Sequence, residues 1–437
     1  MPDPTLLTGR VLRTLASPFE AEPEDALRIE TGWGLVVDRG RIADMGPADD
    51  LRNAWPHVTE IAYGNDLICP GFVDAHAHFP QTAIIASWGK RLIDWLNTYT
   101  FPEEARFADP AYAAEIAARY LDLTAANGTT TICSFCTIHP ASVDALMEEA
   151  QRRGQRIVAG RTCMDRNAPD GLRDTAQTAY DESKALAEKW HGVGRLSYAI
   201  TPRFSPTSTP DQLATMGALW AEHPDCLMQT HLSEQTDEIA WVKSLYPEAR
   251  DYLDTYEMHG LLGAKGLYGH AIHLEEREKD RLKEVGAALV HCPTSNTFIG
   301  SGLFDMNGLM AEGQRIGLAT DTGGGPFDVQ PEEALRAERE RHAAVGVDRR
   351  ELRSAEQVEQ FGARIGGVER DRRRRGVVGK REHAEDALGA VAHGRARALV
   401  LAHEGEHRLV VGLEHAHRAE PECRVSLAHV NDVAYPV

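Results

Sequence analysis

Pro70-Gly-Phe-Val-Asp-Ala-His-Ala-His-Phe-Pro-Gln81 is the most informative stretch of the chain. Its apolar start, Phe72 and Val73, leads into a His-x-His pair. Because alternate residues of a β-strand point to the same face, His76 and His78 can bind one metal ion together. The stretch therefore predicts a metal site at the end of a strand.

Four further side chains that bind metals or transfer protons follow strand-like runs later in the chain. A His-x-His pair alone is weak evidence, because histidines two positions apart are more often hydrogen-bonded core imidazoles. The recurrence of such groups at the ends of separate apolar runs makes coincidence a poor explanation. The four side chains are His231, Glu234, His270 and Asp321.

The apolar runs alternate with helix-like segments. Eight strands that alternate with helices indicate an α/β protein with a (β/α)₈ TIM-like barrel, whose chemistry lies where the carboxyl ends of the strands meet. Every candidate side chain falls at such an end. The predicted strands are 72–78, 129–137, 156–162, 195–201, 227–232, 267–271, 288–292 and 316–321, and the clearest predicted helices are 110–126, 141–153, 211–222 and 275–285.

The segment before the barrel has a different pattern. Residues 32–46 are typical of two short strands joined by an Asp-Arg-Gly turn, with no helix between them. They predict a small β-domain beside the barrel.

Composition and charge exclude several classes of protein. The formal net charge is -19, whereas nucleic-acid binding needs Lys and Arg that replace counterions, so we expect no nucleic-acid partner. We find no apolar stretch long enough to cross a bilayer and no secretory signal, and therefore expect no membrane partner and a cytoplasmic location. The seven cysteines are scattered, which suits free thiols in a reducing compartment. Cys133 and Cys136 are expected in the core, on opposite faces of one strand.

The candidate side chains suit metal-assisted hydrolysis. Three imidazoles and a carboxylate bind a divalent transition metal, most simply Zn²⁺, with water completing the shell. Such an ion lowers the pKa of its water to about 7, which supplies hydroxide at neutral pH. Asp321 can orient or deprotonate that water, and Glu234 can carry its proton to the substrate and the leaving group. The simpler alternatives are a surface carboxylate for Glu234 and a core imidazole for His270.

Six motifs give the chain a resemblance to the amidohydrolase superfamily, and within it to the guanine-deaminating branch. Trp95 to Pro102 and the pair Arg203-Phe204 mark this branch over other deaminases. The match covers about three quarters of the chain and closes with Asp321-Thr-Gly-Gly-Gly325. The six motifs are Pro70 to Gln81, Leu92 to Glu103, Cys163 to Asp170, Thr201 to Ser208, Thr230 to Glu234, and His291 to Phe304.

For the metal, the resemblance implies one ion per chain, Zn²⁺ or alternatively Fe²⁺. It places His270 close to the metal-bound water and the substrate, outside the set of ligands. The implied catalytic residues are Glu234, Asp321 and His270. The implied metal ligands are His76, His78, His231 and Asp321.

For the substrate, the resemblance implies guanine, which a metal-bound hydroxide converts to xanthine and ammonia with Glu234 as the proton shuttle. Gln81 and Arg203 hold the base in this interpretation, with Phe204 against the ring and His270 close by. An arginine fork suits the O6/N7 edge of guanine, and an aromatic face suits a flat purine. The resemblance also implies a homodimer.

Two alternatives stand beside this prediction. One is another superfamily deaminase or hydrolase that acts on a related heterocycle, such as cytosine, an oxidised purine or a triazine; Arg203 and Gln81 argue against it. The other is a non-catalytic binding protein on the same fold. Loss of a ligand or of Glu234 would favour it, and none of these residues is missing.

The tail after Gly325 departs from the pattern of that family. From Pro326 to Val437 the chain is rich in arginine and poor in aromatic residues, and its single lysine is Lys380. The resemblance implies a last barrel helix and a return to a β-sandwich built from both termini, and neither can be read here in order. We hypothesise a shifted reading frame, in which one inserted or deleted base near codon 325 restores the family pattern. Simple divergence is the alternative, and a protease-resistant tail encoded by an unshifted gene would contradict the shift.

The expected domains follow from these patterns. The N-terminal part of the β-domain is 1–69, the barrel is 70–385 with 326–385 atypical, and 386–437 is an atypical segment, nominally the rest of the β-domain.

Overall fold

A computed structural model describes residues 4–16, 21–85, 87 and 91–325. The tail that carries the predicted remainder of the β-domain, 326–437, lies outside the described residues, so the predicted domain boundaries stay predictions. The strands, numbered in chain order, are β1 (Thr5–Thr14), β2 (Leu27–Asp38), β3 (Arg41–Pro47), β4 (Thr59–Ile68), β5 (Phe72–His78), β6 (Thr129–Phe135), β7 (Arg156–Gly160), β8 (Thr162–Cys163), β9 (Leu196–Pro202), β10 (Leu227–Leu232), β11 (Gly266–His270), β12 (Ala288–His291) and β13 (Arg315–Leu318).

The α-helices lie mainly between the strands of the second half of this order. They are α1 (Pro23–Ala26), α2 (Ala48–Ala54), α3 (Leu92–Trp95), α4 (Phe101–Glu104), α5 (Pro110–Ala126), α6 (Pro140–Arg153), α7 (Ala176–Trp190), α8 (Pro210–Glu222), α9 (Thr236–Leu245), α10 (Tyr252–Glu257), α11 (Glu276–Val285), α12 (Pro293–Phe298) and α13 (Met306–Ala311). Among the helices described, none combines the length and apolar character that a bilayer crossing needs.

A mixed four-stranded sheet precedes the barrel, in the order β3-β2-β1-β4. β1 pairs antiparallel with β2 and parallel with β4. β2 and β3 form the predicted hairpin, with Asp38 opposite Arg41. The two residues between them, Arg39 and Gly40, have φ of 48° and 72°, the left-handed backbone that a two-residue hairpin turn requires. The hairpin prediction is confirmed.

Eight parallel strands form a nearly closed barrel in the order β13-β12-β11-β10-β9-β7-β6-β5, with the short β8 paired beside β9. After β13 the chain returns to the first barrel strand, where the N–H of Asp321 donates to the carbonyl of His76 at 2.9 Å. The predicted TIM-like barrel is confirmed. Its strands end at most three residues from the predicted positions, and the four predicted helices correspond to α5, α6, α8 and α11 within one residue.

The main core lies between the strands and the outer helices. Ile116 of α5 and Leu146 of α6 are buried there with Ile132 and Ile157 of the strands. Parallel strands covered on both faces give continuous apolar runs, which is why these strands can be read from the sequence.

The two cysteines of the 129–137 segment are core residues, as predicted. Cys133 packs in an apolar cluster with Val158 and Ala199, and Cys136 belongs to the main core. Both thiols are free, and burial raises the pKa of Cys133 to about 12. Their separation into two clusters agrees with side chains on opposite faces of β6.

Candidate active site

Side chains from separate strand ends meet in one buried cluster. His76 and His78 lie at the end of β5, His231 is the second-last residue of β10, His270 ends β11, and Asp321 follows β13. One ligand atom from each of His76, His231, His270 and Asp321 lies within 4.8 Å of the others. All five side chains are buried. The barrel thus brings together every metal-binding candidate of the sequence.

The ligand atoms have the spacing of a metal shell. Bonds of 2.0–2.1 Å at tetrahedral angles place neighbouring ligand atoms about 3.3 Å apart. Nε2 of His78 lies 3.1 Å from Nε2 of His231, and Oδ1 of Asp321 lies 3.4 Å from Nε2 of His78 and 3.5 Å from Nε2 of His76. Nε2 of His76 is buried without a hydrogen bond. These residues therefore fit a single divalent ion.

Hydrogen bonds at the far ring nitrogens orient two of the imidazoles. Nδ1 of His231 lies 2.7 Å from the carbonyl oxygen of Arg203, and Nδ1 of His270 lies 2.8 Å from Oδ1 of Asn296. Because both oxygens are acceptors, each Nδ1 must carry the proton. The Nε2 lone pair of the neutral His231 ring then faces the cluster, an arrangement typical of metal-binding histidines.

Burial sets the protonation of the cluster. It lowers the pKa of His76 and holds the pKa values of His78 and His231 well below their usual range. Burial alone would raise the pKa of Asp321, but the neighbouring histidines, His76 first, outweigh it and hold that pKa well below its usual range. Neutral imidazoles and an ionised carboxylate are the forms that bind a metal.

Glu234 and His270 face each other beside the cluster. Oε2 of Glu234 lies 3.6 Å from Nε2 of His270, while Oε1 accepts a hydrogen bond from Oγ of Ser301 at 2.7 Å. Burial raises the pKa of Glu234. It would lower the pKa of His270, but the carboxylates of Glu234 and Asp321 outweigh it, so the pKa of His270 is raised. The carboxyl group of Glu234, with its raised pKa, is suited to general acid–base catalysis.

The start of α9 fixes the backbone that carries Glu234. Oε2 of Glu238 accepts hydrogen bonds from the N–H groups of Glu234 and Gln235, both at 3.0 Å. The hydroxyl of Tyr252 donates to the other oxygen of Glu238 at 2.6 Å. Three buried donors on one carboxylate leave little freedom to the segment, so the direction of the Glu234 side chain is set by the helix start.

Uncommon backbone conformations cluster at the site. Ser233, His270 and Asp321 have φ of 48°, 64° and 49°, and non-glycine residues in this region are held by their surroundings and concentrate at active sites. Gly269 shows how little space remains, because a Cβ there would lie 2.6 Å from Cε1 of His76. Only glycine leaves room for that imidazole.

The residues predicted to hold the base lie together on the other side of the site. Nη1 and Nη2 of Arg203 donate to Oε2 and Oε1 of Glu104 at 2.6 and 3.0 Å. Nε2 of Gln81 also donates to Oε1 of Glu104, at 3.3 Å. Phe204 is buried in an apolar cluster with Trp95. Glu104 is the shared partner of Arg203 and Gln81. It lies one residue after the motif Leu92 to Glu103, and the sequence pattern does not identify it.

One cavity lies between the metal-binding cluster and the residues predicted to hold the base, and residues of both groups line it. Of the nine predicted site residues, all but His76 are among the described residues that line it. Leu92, Trp95, Leu96 and Ile299 form its apolar wall together with Phe204.

Three supporting residues come from the motif His291 to Phe304, which signalled the resemblance without indicating their roles. Each one forms a hydrogen bond with a different predicted site residue, so the motif helps to orient three side chains of the site. Ser295 donates to Asp321 at 2.6 Å, Asn296 accepts from His270 at 2.8 Å, and Ser301 donates to Glu234 at 2.7 Å.

The comparison with known families agrees with this site. A sequence model of the amidohydrolase family matches residues 67–358, which is more than half of the chain and contains every site residue described above. The chain belongs to the amidohydrolase family.

Within that family, the similar proteins include guanine deaminases. Guanine deaminase of Escherichia coli (strain K12) is 45% identical over 316 residues, 72% of each chain. The solved E. coli guanine deaminase superposes with a TM-score of 0.73 at 41% identity, covering 77% of this chain and 79% of that chain. The C. acetobutylicum guanine deaminase, solved with guanine bound in its active site, gives a TM-score of 0.72 at 29% identity, covering 79% of this chain and 81% of that one.

Proposed function

We propose that the chain hydrolyses guanine to xanthine and ammonia. The observation that carries the proposal is the single cavity that joins a buried metal-binding cluster, a carboxyl group suited to proton transfer and an arginine–glutamine pair. The guanine deaminases that resemble the chain over most of its length support the same reaction.

Four side chains would hold the metal ion, which we propose to be Zn²⁺, with Fe²⁺ as the alternative. Three imidazoles and one carboxylate are a donor set that suits either ion. When bound, such an ion lowers the pKa of a water molecule at the site to about 7. The proposed ligands are His76, His78, His231 and Asp321.

Glu234 is the proposed proton carrier. Ser301 occupies its Oε1, so Oε2, which faces His270, is the oxygen that exchanges the proton. It takes a proton from the attacking water and delivers it to the unprotonated ring nitrogen beside C2. The C2–O bond forms; Glu234 then passes the remaining hydrogen of that oxygen to the amino nitrogen as the bond from C2 to this nitrogen breaks, so ammonia leaves and C2 keeps a carbonyl oxygen. Asp321 and His270 orient the water and the substrate in this scheme.

Arg203, Gln81 and Phe204 are the proposed binding residues. The guanidinium offers donors to the O6/N7 edge of guanine, and the phenyl ring lies against the purine face. The same donors meet an amino group at position 6 of adenine, which leaves them unpaired. The recognition residues therefore favour guanine over adenine, and they count against the other heterocycles named above.

The proposal is tested by ammonia release from the purified, metal-loaded chain. We expect turnover of guanine and, because the adenine mismatch leaves buried donors unpaired, a preference over adenine on the order of 10⁴-fold. Comparable turnover of adenine or cytosine would contradict the assignment. Elemental analysis of the same sample should give one zinc or iron ion per chain.

A homodimer and a cytoplasmic location belong to the same proposal. The free cysteines among the described residues suit a reducing compartment. Sedimentation of the chain, whose mass is 48.1 kDa, should give twice that mass, and a monomer would contradict the dimer alone.

A further inference from the structure

We propose that Glu104 is a positioning residue that determines specificity. It holds Arg203 as a hydrogen-bond donor and Gln81 as a hydrogen-bond acceptor toward the purine. The inference rests on the proposed function, because it names the residue that makes the cavity select guanine.

Glu104 fixes the direction of the guanidinium. It ends α4, and its carboxylate is 1% exposed, while Arg203 is 3% exposed. The two Arg203 contacts, at 2.6 and 3.0 Å, engage one hydrogen on each Nη nitrogen. A guanidinium carries five N–H hydrogens, so three are left for other partners. The ring of Phe101, on the same short helix, lies 5.6 Å from the guanidinium carbon and restricts the group further.

Glu104 also decides which end of the Gln81 amide faces away from it. An ionised carboxylate accepts hydrogen bonds and donates none, so the amide nitrogen of Gln81 must face Oε1 of Glu104, at 3.3 Å. The amide oxygen is then turned to the opposite side. A Cβ on Gly323 would lie 2.1 Å from that oxygen, so the loop after Asp321 leaves the space that this orientation needs.

The two orientations match the hydrogen-bonding edge of guanine. O6 of guanine is an acceptor and N1 carries a hydrogen, whereas adenine has a donor amino group at position 6 and an unprotonated N1. A donor from Arg203 and an acceptor from Gln81 therefore pair with guanine and are mismatched with adenine. A Gln81 amide without a fixed partner would offer either end. The specificity thus depends on the carboxylate behind the pair.

The pairing of charges also suits an uncharged base. A guanidinium buried without a partner is strongly unfavourable, and it would attract anions into the cavity. Bound to Glu104, Arg203 keeps its donors while the pair carries no net charge. The cavity then presents hydrogen-bonding groups at its recognition side without an excess of positive charge.

The neighbouring Glu103 provides a matched control. It lies on the same helix and is buried, but its oxygens bind the guanidinium of Arg106 at 2.9 Å and the hydroxyl of Tyr112. Glu103→Gln therefore removes a buried carboxylate from this helix without a direct contact to Arg203 or Gln81. An effect that comes only from loss of a buried charge in α4 would appear in both variants.

The test compares guanine with 2-aminopurine, which keeps the reacting amino group at C2 but lacks O6 and the N1 hydrogen. In Glu104→Gln the new amide nitrogen faces an N–H donor of Arg203 or Gln81. Two donors cannot form a hydrogen bond, so Arg203 and Gln81 lose the orientation that fits guanine. We expect kcat/KM for guanine to fall by about 100-fold and that for 2-aminopurine by less than about 3-fold. If 2-aminopurine turns over too slowly, its inhibition constant replaces kcat/KM. Metal content should be unchanged, and Glu103→Gln should keep the guanine preference within about 2-fold.

Each of the following results would overturn the inference. Equal losses for both purines, or the same loss of preference in Glu103→Gln, would reduce Glu104 to a structural residue. If Glu104→Gln does not fold, Glu104→Asp keeps the charge but is too short to reach both partners, and an unchanged preference there defeats the role. A parent chain that releases no ammonia from guanine defeats the proposed function and this inference together. An active parent with an unchanged preference in the variants defeats only the role of Glu104.

Discussion

The metal-binding side and the recognition side of the cavity are built in different ways. His78 and His231 lie in the paired ladders of barrel strands. His76 lies at an irregularity of β5, where its carbonyl accepts from the N–H of Asp321. Gln81 and Glu104 lie on short helical segments in the excursion between β5 and α5, and side-chain hydrogen bonds hold them. We infer that a substitution on the metal-binding side abolishes turnover. A substitution on the recognition side instead changes the preference among bases and lowers kcat/KM for guanine.

The largest effect is expected for His76→Ala. The variant loses one ligand from a buried cluster, so both metal content and guanine turnover should fall by more than about 100-fold. Elemental analysis and ammonia release measure the two quantities. His57→Ala, at an exposed position of the described chain, is the control. A His76→Ala protein that keeps its metal would show that the remaining ligands are sufficient to bind the ion. The inferred difference between the two sides of the cavity would then be wrong.

Glu234→Gln separates the chemistry from the binding of the metal. We expect a fall in kcat of roughly 100-fold or more at nearly normal metal content, because the amide cannot carry a proton from the water to the ring. Glu248→Gln, on the surface, is the control. Loss of the metal in Glu234→Gln would instead identify Glu234 as a ligand.

Arg203→Ala tests the recognition side. We expect a higher KM and a lower kcat for guanine, about 100-fold in kcat/KM together, because in the proposed scheme Arg203 both holds the base and places C2 for attack. Since Glu104 is left buried without its partner, the free energy of unfolding should also fall, by about 3–5 kcal/mol. Metal content should stay normal. Arg173→Ala, which breaks an exposed ion pair, should change neither quantity, and an unaltered kcat/KM in Arg203→Ala would place that residue outside the working site.

The barrel and the metal cluster can be predicted from the sequence for the same physical reason. Strands buried on both faces are apolar throughout, and the polar residue that ends such a run stands out. The ends of the strands are predicted less accurately than their centres, as the predicted strand 316–321 shows. The strand stops at Leu318, and the chain then turns so that Asp321 adopts a φ of 49°. The spacing of apolar residues in the sequence does not predict that turn.

The recognition side can be predicted only in part. Gln81 and Arg203 follow from the resemblance, but Glu104 acts through a contact with a residue 99 positions away. Nothing local distinguishes Glu104 from Glu103, and only the fold turns one carboxylate toward Arg203 and the other toward Arg106. Residues that position others are in general harder to read from one sequence, because their role lies in a tertiary contact.

The smallest effect is expected for Ser301→Ala, at the residue whose hydroxyl holds Glu234. Its hydroxyl donates to Oε1 of Glu234 and accepts from Nε2 of Gln235 at 3.1 Å. Loss of one hydrogen bond to a charged group should lower kcat by about 10-fold, with KM for guanine within about 2-fold and metal content unchanged.

Steady-state kinetics with Ser301→Thr and Ser244→Ala completes that test. The threonine keeps the hydroxyl and should restore most of kcat, while the exposed Ser244 should have no effect. If Ser301→Ala keeps full turnover, the capping of α9 by Glu238 is sufficient to aim Glu234. Glu234 would then be positioned through the contacts of the Glu238 carboxylate with its backbone, and a direct side-chain partner would matter more for Arg203 and Gln81 than for the proposed proton carrier.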